Sequence, residues 1–403
     1  MDVTKLADGI TKLSASLDGI LFEGMWEIPN GVSLNSYIVK GEKTAIIDGF
    51  CDWEGVPEKL FELLDKAEVN LEDIKYLVIN HMEPDHSGWI KDFKKLNTDF
   101  EVVCTKKAAN LMKTFFDQEE NVRVVQTSDT LDLGNGKVLE FHEVPNVHWP
   151  ETMMTFEKST KTAFTCDLFG TYGKTDFDFD DNLTDEDLRY LNDEGLRYYS
   201  NVMMTFSQQV KKAVDKFEEL GAKTIAPGHG IVWRKDPNKI VQMYRNYIDY
   251  ALGYGRKEIT ILWGSMYGRT EEAVREIEKY IIGKNIKVNI HRLPETNWGT
   301  MLKSVLSSSG VIIAAPTYEY QMFPPVACAL EEIGRKKILK RHALAFGSYG
   351  WTSGLQKELD DIMNRYKLNW DFVDTYIFNG KVRKEDIDVI KKRVDALIDK
   401  IGI

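Results

Sequence analysis

Up to about residue 250, short apolar runs alternate with glycine, asparagine and charged residues. This pattern predicts strands over 36–40, 44–47, 76–79, 101–104, 138–144, 162–166 and 224–226. Apolar positions at helical spacing predict helices over 56–67, 106–116 and 207–220. Early strands separated by short turns pair in antiparallel or mixed sheets, so this part is expected to form an α/β sandwich. Beyond about residue 256 strands and helices alternate at longer spacing. Strands are expected over 258–263, 287–291, 310–315, 342–347 and 372–378, with helices over 271–282 and 355–366 between them. Such alternation calls for a doubly wound parallel sheet. The junction falls at 253–257, giving domains 1–252 and 256–403, with no repeat or low-complexity segment.

With 403 residues, 43% hydrophobic and 29% charged, the chain has room for two or three cores and the composition of a soluble protein. No apolar run is long enough to span a membrane. Residues 1–19 lack the basic start and apolar centre of a signal peptide, so a cytoplasmic location is expected. A net charge of -11 argues against a nucleic-acid partner, which requires a basic surface. Cys51, Cys104, Cys166 and Cys328 form no C-x-x-C pair. That spacing excludes a rubredoxin-type iron site and predicts reduced thiols rather than a disulfide scaffold.

The run Tyr76-Leu77-Val78-Ile79-Asn80 leads into His81-Met82-Glu83-Pro84-Asp85-His86. Extended backbone continuing past the strand would project His81, Glu83 and Asp85 to one side, with His86 turning back. Two imidazoles and two carboxylates suit a hard or borderline metal, whereas the hexapeptide alone would also serve as a solvated turn. His148, Asp167 and His229 each follow an apolar strand in the same way, His229 between Gly228 and Gly230. Those glycines let the backbone turn tightly and bring an imidazole close to a ligand. Nothing couples His142, His291 or His342 to this set. Tyr198 and Tyr199 are expected to pack, or to offer a hydroxyl near the metal, and Trp149 to shield it or pack.

In the second domain the strand at 259–263 runs into Ser265, Met266, Tyr267, Gly268, Arg269 and Thr270 ahead of a helix. Hydroxyls and N–H groups at a helix N-terminus form an anion site. Two more loops follow the next core strands, where open α/β sheets bind ligands. One carries Pro316, Thr317, Tyr318, Glu319 and Tyr320; the other carries Ser348, Tyr349, Gly350, Trp351 and Gly354. Their aromatic rings suit a flat conjugated ring system.

The ordered set H-x-E-x-D-H, His148, Asp167 and G-H-G resembles the metallo-β-lactamase-like fold, an αββα sandwich. Its zinc hydrolases normally read H-x-H-x-D-H, and here Glu83 replaces the second histidine. The 265–270 loop is similar to the phosphate loop of flavodoxins, with Arg269 where asparagine is usual; Arg269 either adds charge beside the phosphate or faces solvent. With the other two loops, and without a G-x-G-x-x-G fingerprint, the resemblance implies FMN. The whole chain resembles the flavodiiron proteins. That resemblance implies two non-haem iron ions, one held by His81, Glu83 and His148, the other by Asp85, His86 and His229, with Asp167 between them. Two divalent ions carry four positive charges, and Glu83, Asp85 and Asp167 supply three negative ones. Such carboxylates favour the ferric state over the ferrous and redox iron over zinc.

The family reduces nitric oxide to nitrous oxide, dioxygen to water, or both. The resemblance further implies a head-to-tail homodimer, or a dimer of such dimers, with the flavin of one subunit beside the irons of the other. The donor is expected to be separate, such as a rubredoxin or a reduced deazaflavin. The basic run Arg335-Lys336-Lys337, continued at Lys340-Arg341, is either a docking surface for an acidic donor or ordinary solvated surface. Two alternatives stand beside this reading. One is a zinc hydrolase with an appended flavodoxin domain, which Glu83 opposes; the other is a non-catalytic electron carrier or redox sensor.

Overall fold

The computed structural model describes residues 2–51, 58–117 and 119–402, so the first two positions of the helix expected over 56–67 lie outside the described residues. The chain forms two compact units, Met1–Tyr199 with Gln208–Arg245, and Ser200–Ser207 with Asn246–Ile403.

The first unit holds a seven-stranded and a five-stranded sheet. The larger runs in sequence order: β1 (Asp2–Ala7), β2 (Ile10–Leu17), β3 (Val32–Lys40), β4 (Thr44–Ile47), β5 (Ile74–Val78), β6 (Glu101–Thr105) and β7 (Val122–Val125). Pairing is antiparallel from β1 to β4 and parallel from β4 to β7. The hairpin joining β1 and β2 turns on Asp8-Gly9, with Gly9 at φ 65, the aspartate–glycine signal of a tight turn. The smaller sheet contains β8 (Thr130–Asp132), β9 (Val138–Glu143), β10 (Met153–Glu157), β11 (Thr162–Cys166) and β12 (Thr224–Pro227). Only β11 and β12 are parallel there.

Alternate residues of the two sheets interdigitate: Tyr37, Val39, Ala45, Ile47, Val78 and Val103 from the larger, Leu139, Phe141, Met153, Phe164 and Ala226 from the smaller. Burying an apolar face on each sheet against the other makes the sandwich. The chain emerges from the carboxyl ends of β5, β9, β11 and β12 into the loops bearing the candidate metal ligands. Parallel pairing of β11 with β12 sets Cys166 opposite Pro227, so Asp167 and His229 leave adjacent strands.

The second unit is a parallel sheet of β13 (Arg256–Trp263), β14 (Val288–Arg292), β15 (Ser308–Ala314), β16 (His342–Tyr349), β17 (Asp371–Phe372) and β18 (Tyr376–Asn379), with β13 between β14 and β15 and both β17 and β18 on β16. Ile259, Ile261, Ile312, Ala314, Leu344 and Phe346 face the helices Arg269–Gly283 and Lys384–Ile401. On the opposite face Thr260 donates to the carbonyl of Ser304 in the helix Trp298–Ser307. The strand expected over 372–378 is broken. Asp371 and Phe372 pair 29 positions from their partners on β16, Tyr376 and Ile377 pair 30 positions away, so one extra residue interrupts the ladder as a bulge.

Arg341, counted in the expected basic run, is not on the surface. It is fully buried, and burial lowers its pKa to about 9. Its guanidinium donates to the carbonyls of Val305 at 2.9 Å, Leu306 at 2.5 Å, Tyr250 at 3.1 Å and Gly253 at 3.1 Å. It satisfies carbonyls at the ends of two helices, Asn238–Leu252 and Trp298–Ser307, and leaves the exposed part of the run to Arg335, Lys337 and Lys340. Among the described residues no helix is long and apolar enough to cross a membrane.

Candidate metal centre and flavin pocket

Asn80 fixes the chain where β5 gives way to the histidine-rich loop. Its N–H donates to Asp48 Oδ1 at 2.7 Å and its Nδ2 to Asp48 Oδ2 at 2.9 Å, while its Oδ1 accepts from Thr155 at 2.7 Å. Extended geometry that would carry His81, Glu83 and Asp85 to one side does not persist. Pro84, whose φ suits the first position of a helix, opens a single turn over Pro84–Ser87. Asp85 and His86 therefore point in different directions from His81 and Glu83, and the loop supplies two separate groups of ligand atoms.

One group joins His81, Glu83, His148 and Asp167; another joins Asp85, His86 and His229. Glu83 Oε2 lies 2.9 Å from His148 Nε2 and 3.3 Å from His81 Nε2. Asp167 stands between the groups. Its Oδ2 lies 3.4 Å from His81 Nε2 and 3.3 Å from His148 Nε2, and its Oδ1 lies 3.0 Å from His86 Nε2 and 3.3 Å from His229 Nε2. Asp85 Oδ2 is 3.4 Å from His229 Nε2 and 3.5 Å from His86 Nε2. All seven expected positions are thus brought together, six of them buried and Glu83 half-buried.

Imidazole orientation is set from behind. His229 Nδ1 faces the carbonyl of Ser33 at 3.0 Å, and His81 Nδ1 faces Glu151 Oε1 at 2.8 Å, so each ring turns Nε2 toward the cluster. Gly228 is required: a Cβ there would come within 2.8 Å of His86 Cε1.

Burial works against charge on these groups, yet they hold one another ionised. His148 is raised to about 9 and His229 to about 10 because neighbouring carboxylates outweigh desolvation, with Asp167 and Glu83 beside the first and Asp167 and Asp85 beside the second. Glu83 is burial-penalised but is still lowered to about 2 by His148 and His81. Such a set either keeps protons on its imidazoles or exchanges them for cations. Both oxygens of Asp85, Nδ1 of His86 and Nε2 of His229 are buried without a hydrogen-bond partner, an expensive state that a bound cation relieves. The residues fit a pair of metal ions.

Cys166 lies within ligand range of His86 and Asp167. Burial, then the charges of Asp48, Asp167 and Asp85, raise its pKa far above the usual thiol value, so it remains a thiol. His142 pairs with Glu140 at 3.0 Å and His342 with Asp371 at 3.1 Å, both outside the cluster, and His291 is buried elsewhere. Trp149 packs its ring 5.1 Å from that of His81, and Tyr198 lies 5.8 Å from His229.

In the second unit, a cavity of about 510 Å³ opens among the loops after β13, β15 and β16. From the first loop Ser265, Met266, Tyr267 and Arg269 line it, and from the second Pro316, Thr317, Tyr318, Glu319 and Tyr320. Ser348, Tyr349, Gly350 and Trp351 complete the expected set, while Thr352 and Gly380 also line it. Gly380 follows β18 directly, a strand-end glycine that could have been read as part of the site. Tyr267 and Trp351 are 88% and 82% exposed, which leaves two aromatic faces free for a flat ligand.

Gly268, Thr270 and Gly354 do not line the cavity and act behind it. Gly268 caps the helix at φ 81, its N–H donating to Ser265 Oγ at 3.0 Å. Thr270 Oγ1 lies 2.9 Å from Ser348 Oγ, tying the first loop to the third. Gly354 donates to Thr317 Oγ1 at 3.2 Å, and a Cβ on it would sit 1.9 Å from the Tyr320 carbonyl. Arg269 binds Glu272 of its own helix at 2.8 Å, so much of its charge is engaged there. The helix N-terminus with its serine suits a phosphate and the aromatic walls suit an isoalloxazine.

Sheet sandwich, ligand cluster and flavin-type pocket define a metallo-β-lactamase-like protein carrying a flavodoxin-like domain. The family model described as ODP family beta lactamase matches residues 32–230. A nitric oxide reductase of Moorella thermoacetica is 30% identical over 341 residues, spanning 84% of this chain and 83% of its own. The anaerobic nitric oxide reductase flavorubredoxin of Salmonella typhi is 33% identical over 329 residues, spanning 80% and 67%. Among solved structures, the rubredoxin oxygen:oxidoreductase of Desulfovibrio gigas has a TM-score of 0.91 at 23% identity, covering 100% of this chain and 99% of its own. The flavodiiron protein of Giardia intestinalis gives 0.89 at 24%, covering 100% and 98%. The chain belongs to the flavodiiron protein family and is an oxidoreductase.

Proposed function

We propose that this protein uses FMN and a diiron centre to reduce nitric oxide to nitrous oxide, dioxygen to water, or both, with electrons from a separate donor. The observation carrying this reading is Asp167, whose two oxygens each face a different pair of histidines. In it, His81, Glu83 and His148 would hold one iron and Asp85, His86 and His229 the other, with Asp167 between the two groups. Bound iron supplies one-electron chemistry and a position for a diatomic gas at each metal, and the flavin supplies electrons. The chain's own residues do the rest. Glu83, Asp85 and Asp167 bring anionic oxygen donors, Ser33 and Glu151 orient imidazoles, and Trp149 restricts water beside His81.

Nitric oxide is the preferred substrate in this reading, since relatives at 30% and 33% identity carry that activity in their names. FMN is favoured over FAD because the 265–270 loop offers one phosphate-sized anion site at a helix N-terminus. A head-to-tail homodimer, a rubredoxin or reduced deazaflavin donor and a cytoplasmic location complete the proposal. Metal and flavin analysis of protein produced in iron-rich medium tests it: two irons and one FMN per chain are expected. Two zinc ions and no iron would instead support a hydrolase.

A further inference from the structure

Glu151 belongs to none of the ligand groups, yet it is fully buried behind one of them, in a chain that spaces its other acids mostly toward solvent. Its Oε1 accepts from His81 Nδ1 at 2.8 Å and from the Met82 N–H at 3.0 Å, two donors on consecutive residues of the ligand loop. Its main-chain carbonyl accepts from Thr105 Oγ1 at 2.9 Å, which anchors it to the end of β6. Oε2 is buried with no hydrogen-bond partner, so the carboxylate directs its interaction through a single oxygen toward the His81 loop. Asp48, another buried acid nearby, places both oxygens on Asn80.

We propose that Glu151 is the positioning residue of the first metal: an anionic carboxylate that keeps the His81 proton on Nδ1, aims Nε2 at the ion and adds a fourth negative charge to the centre. The inference rests on the diiron reading above. Glu83, Asp85 and Asp167 give three negative charges against the four positive charges of two ferrous ions. Glu151 makes the reduced centre neutral, with a charge one atom shell removed from the metal and shielded from water. A carboxylate behind a ligating imidazole makes that nitrogen a stronger donor and so stabilises the more highly charged ion. Glu151 thereby lowers the reduction potential of the iron on His81 relative to its partner, separating the two metals electronically although each has two histidines and a terminal carboxylate.

The test compares the iron- and FMN-loaded full chain with Glu151→Gln, which preserves an acceptor for His81 and removes the charge. Expected are an iron affinity weaker by about 10- to 100-fold, and an upward shift in the reduction potential of one iron, followed by the mixed-valent electron paramagnetic resonance signal, with FMN content unchanged. A variant that folds and retains the wild-type potential and affinity overturns the proposal while leaving the diiron reading intact; wild-type protein that takes up no iron defeats that reading instead. If the variant does not fold, the wild-type chain loaded with zinc as a diamagnetic stand-in decides by long-range proton–nitrogen correlation. A protonated Nδ1 and a metal-bound Nε2 on His81 are expected, and coordination through Nδ1 would overturn the assignment.

Discussion

Glu83 and His148 meet at 2.9 Å, and in the proposed diiron reading the identity of residue 83 decides which chemistry the centre runs. A carboxylate oxygen there adds a negative charge and a hard donor, where an imidazole would leave a more positive site suited to zinc. Glu83→His should raise the zinc-to-iron ratio of purified protein and lower gas reduction by about tenfold or more; an unchanged iron content measured by elemental analysis would contradict the role given to this oxygen. A second residue, Glu157, shows how a buried acid serves structure alone. It accepts from the N–H groups of Ser159 and Thr160 at 3.0 and 2.8 Å and from their hydroxyls at 2.7 and 2.5 Å, closing the turn between β10 and β11. Burial opposes its charge but these donors prevail, leaving its pKa below the usual 4.5. Its contribution is therefore complete above about pH 4.5 and is lost as pH falls through the lowered folded value. Glu157→Gln should cost about 2 kcal/mol at pH 7. The denaturation curves of the two proteins should converge in acid, and a difference that persists unchanged below pH 3 would refute the assignment.

Loops at the carboxyl ends of strands carry both candidate sites, and residues that do not line the cavity hold its loops in place. Gly354 is the plainest case, because a Cβ 1.9 Å from the Tyr320 carbonyl forces two cavity loops apart. Gly354→Ala should weaken FMN binding at least tenfold, read by fluorescence titration of the apoprotein, with the metal content untouched. Part of the element set is legible in the sequence, while strands such as Ile10–Leu17 and Met153–Glu157 and helices such as Asn238–Leu252, Pro324–Arg335 and Lys384–Ile401 are not among those expected. Helices Lys106–Phe116 and Leu355–Tyr366 and strands Thr44–Ile47 and Thr162–Cys166 have the expected bounds, since each combines a strong apolar period with a clear stop such as Asp117 or Lys367 in left-handed conformation. The strand Asp2–Ala7 was missed because it lies at a sheet edge and buries only Leu6. Asp185–Tyr198 was missed although Thr184 and Asp187 form a capping box; its acidic start masked the apolar stripe. Glu151, in Pro150-Glu151-Thr152, reads as an ordinary loop acid, and only the fold brings it to 2.8 Å from His81. The burial of Arg341 was equally hidden, because a helix-capping guanidinium and a solvated one look alike in a basic run.

At the scale of the whole molecule, a sandwich gathers seven side chains that could hold metal and a doubly wound sheet presents a cavity walled by aromatic rings. Neither feature requires the other. A hydrolase would need only the first and an electron carrier only the second, so their occurrence in one chain is the argument for a reaction that consumes electrons at a metal centre. Membership of the flavodiiron family agrees with it, and the ordered ligand set was readable because every member follows a strand whose apolar run is unmistakable. The pairing of ligands was less so, because the helical turn begun by Pro84 divides the hexapeptide between two groups. The most direct test is rapid mixing of the fully reduced, FMN- and iron-loaded protein with nitric oxide or dioxygen under otherwise anaerobic conditions. Disappearance of at least one gas, nitric oxide foremost, is expected, with reoxidation of the flavin and formation of nitrous oxide or water. Fully loaded protein that consumes neither gas would contradict the proposed function.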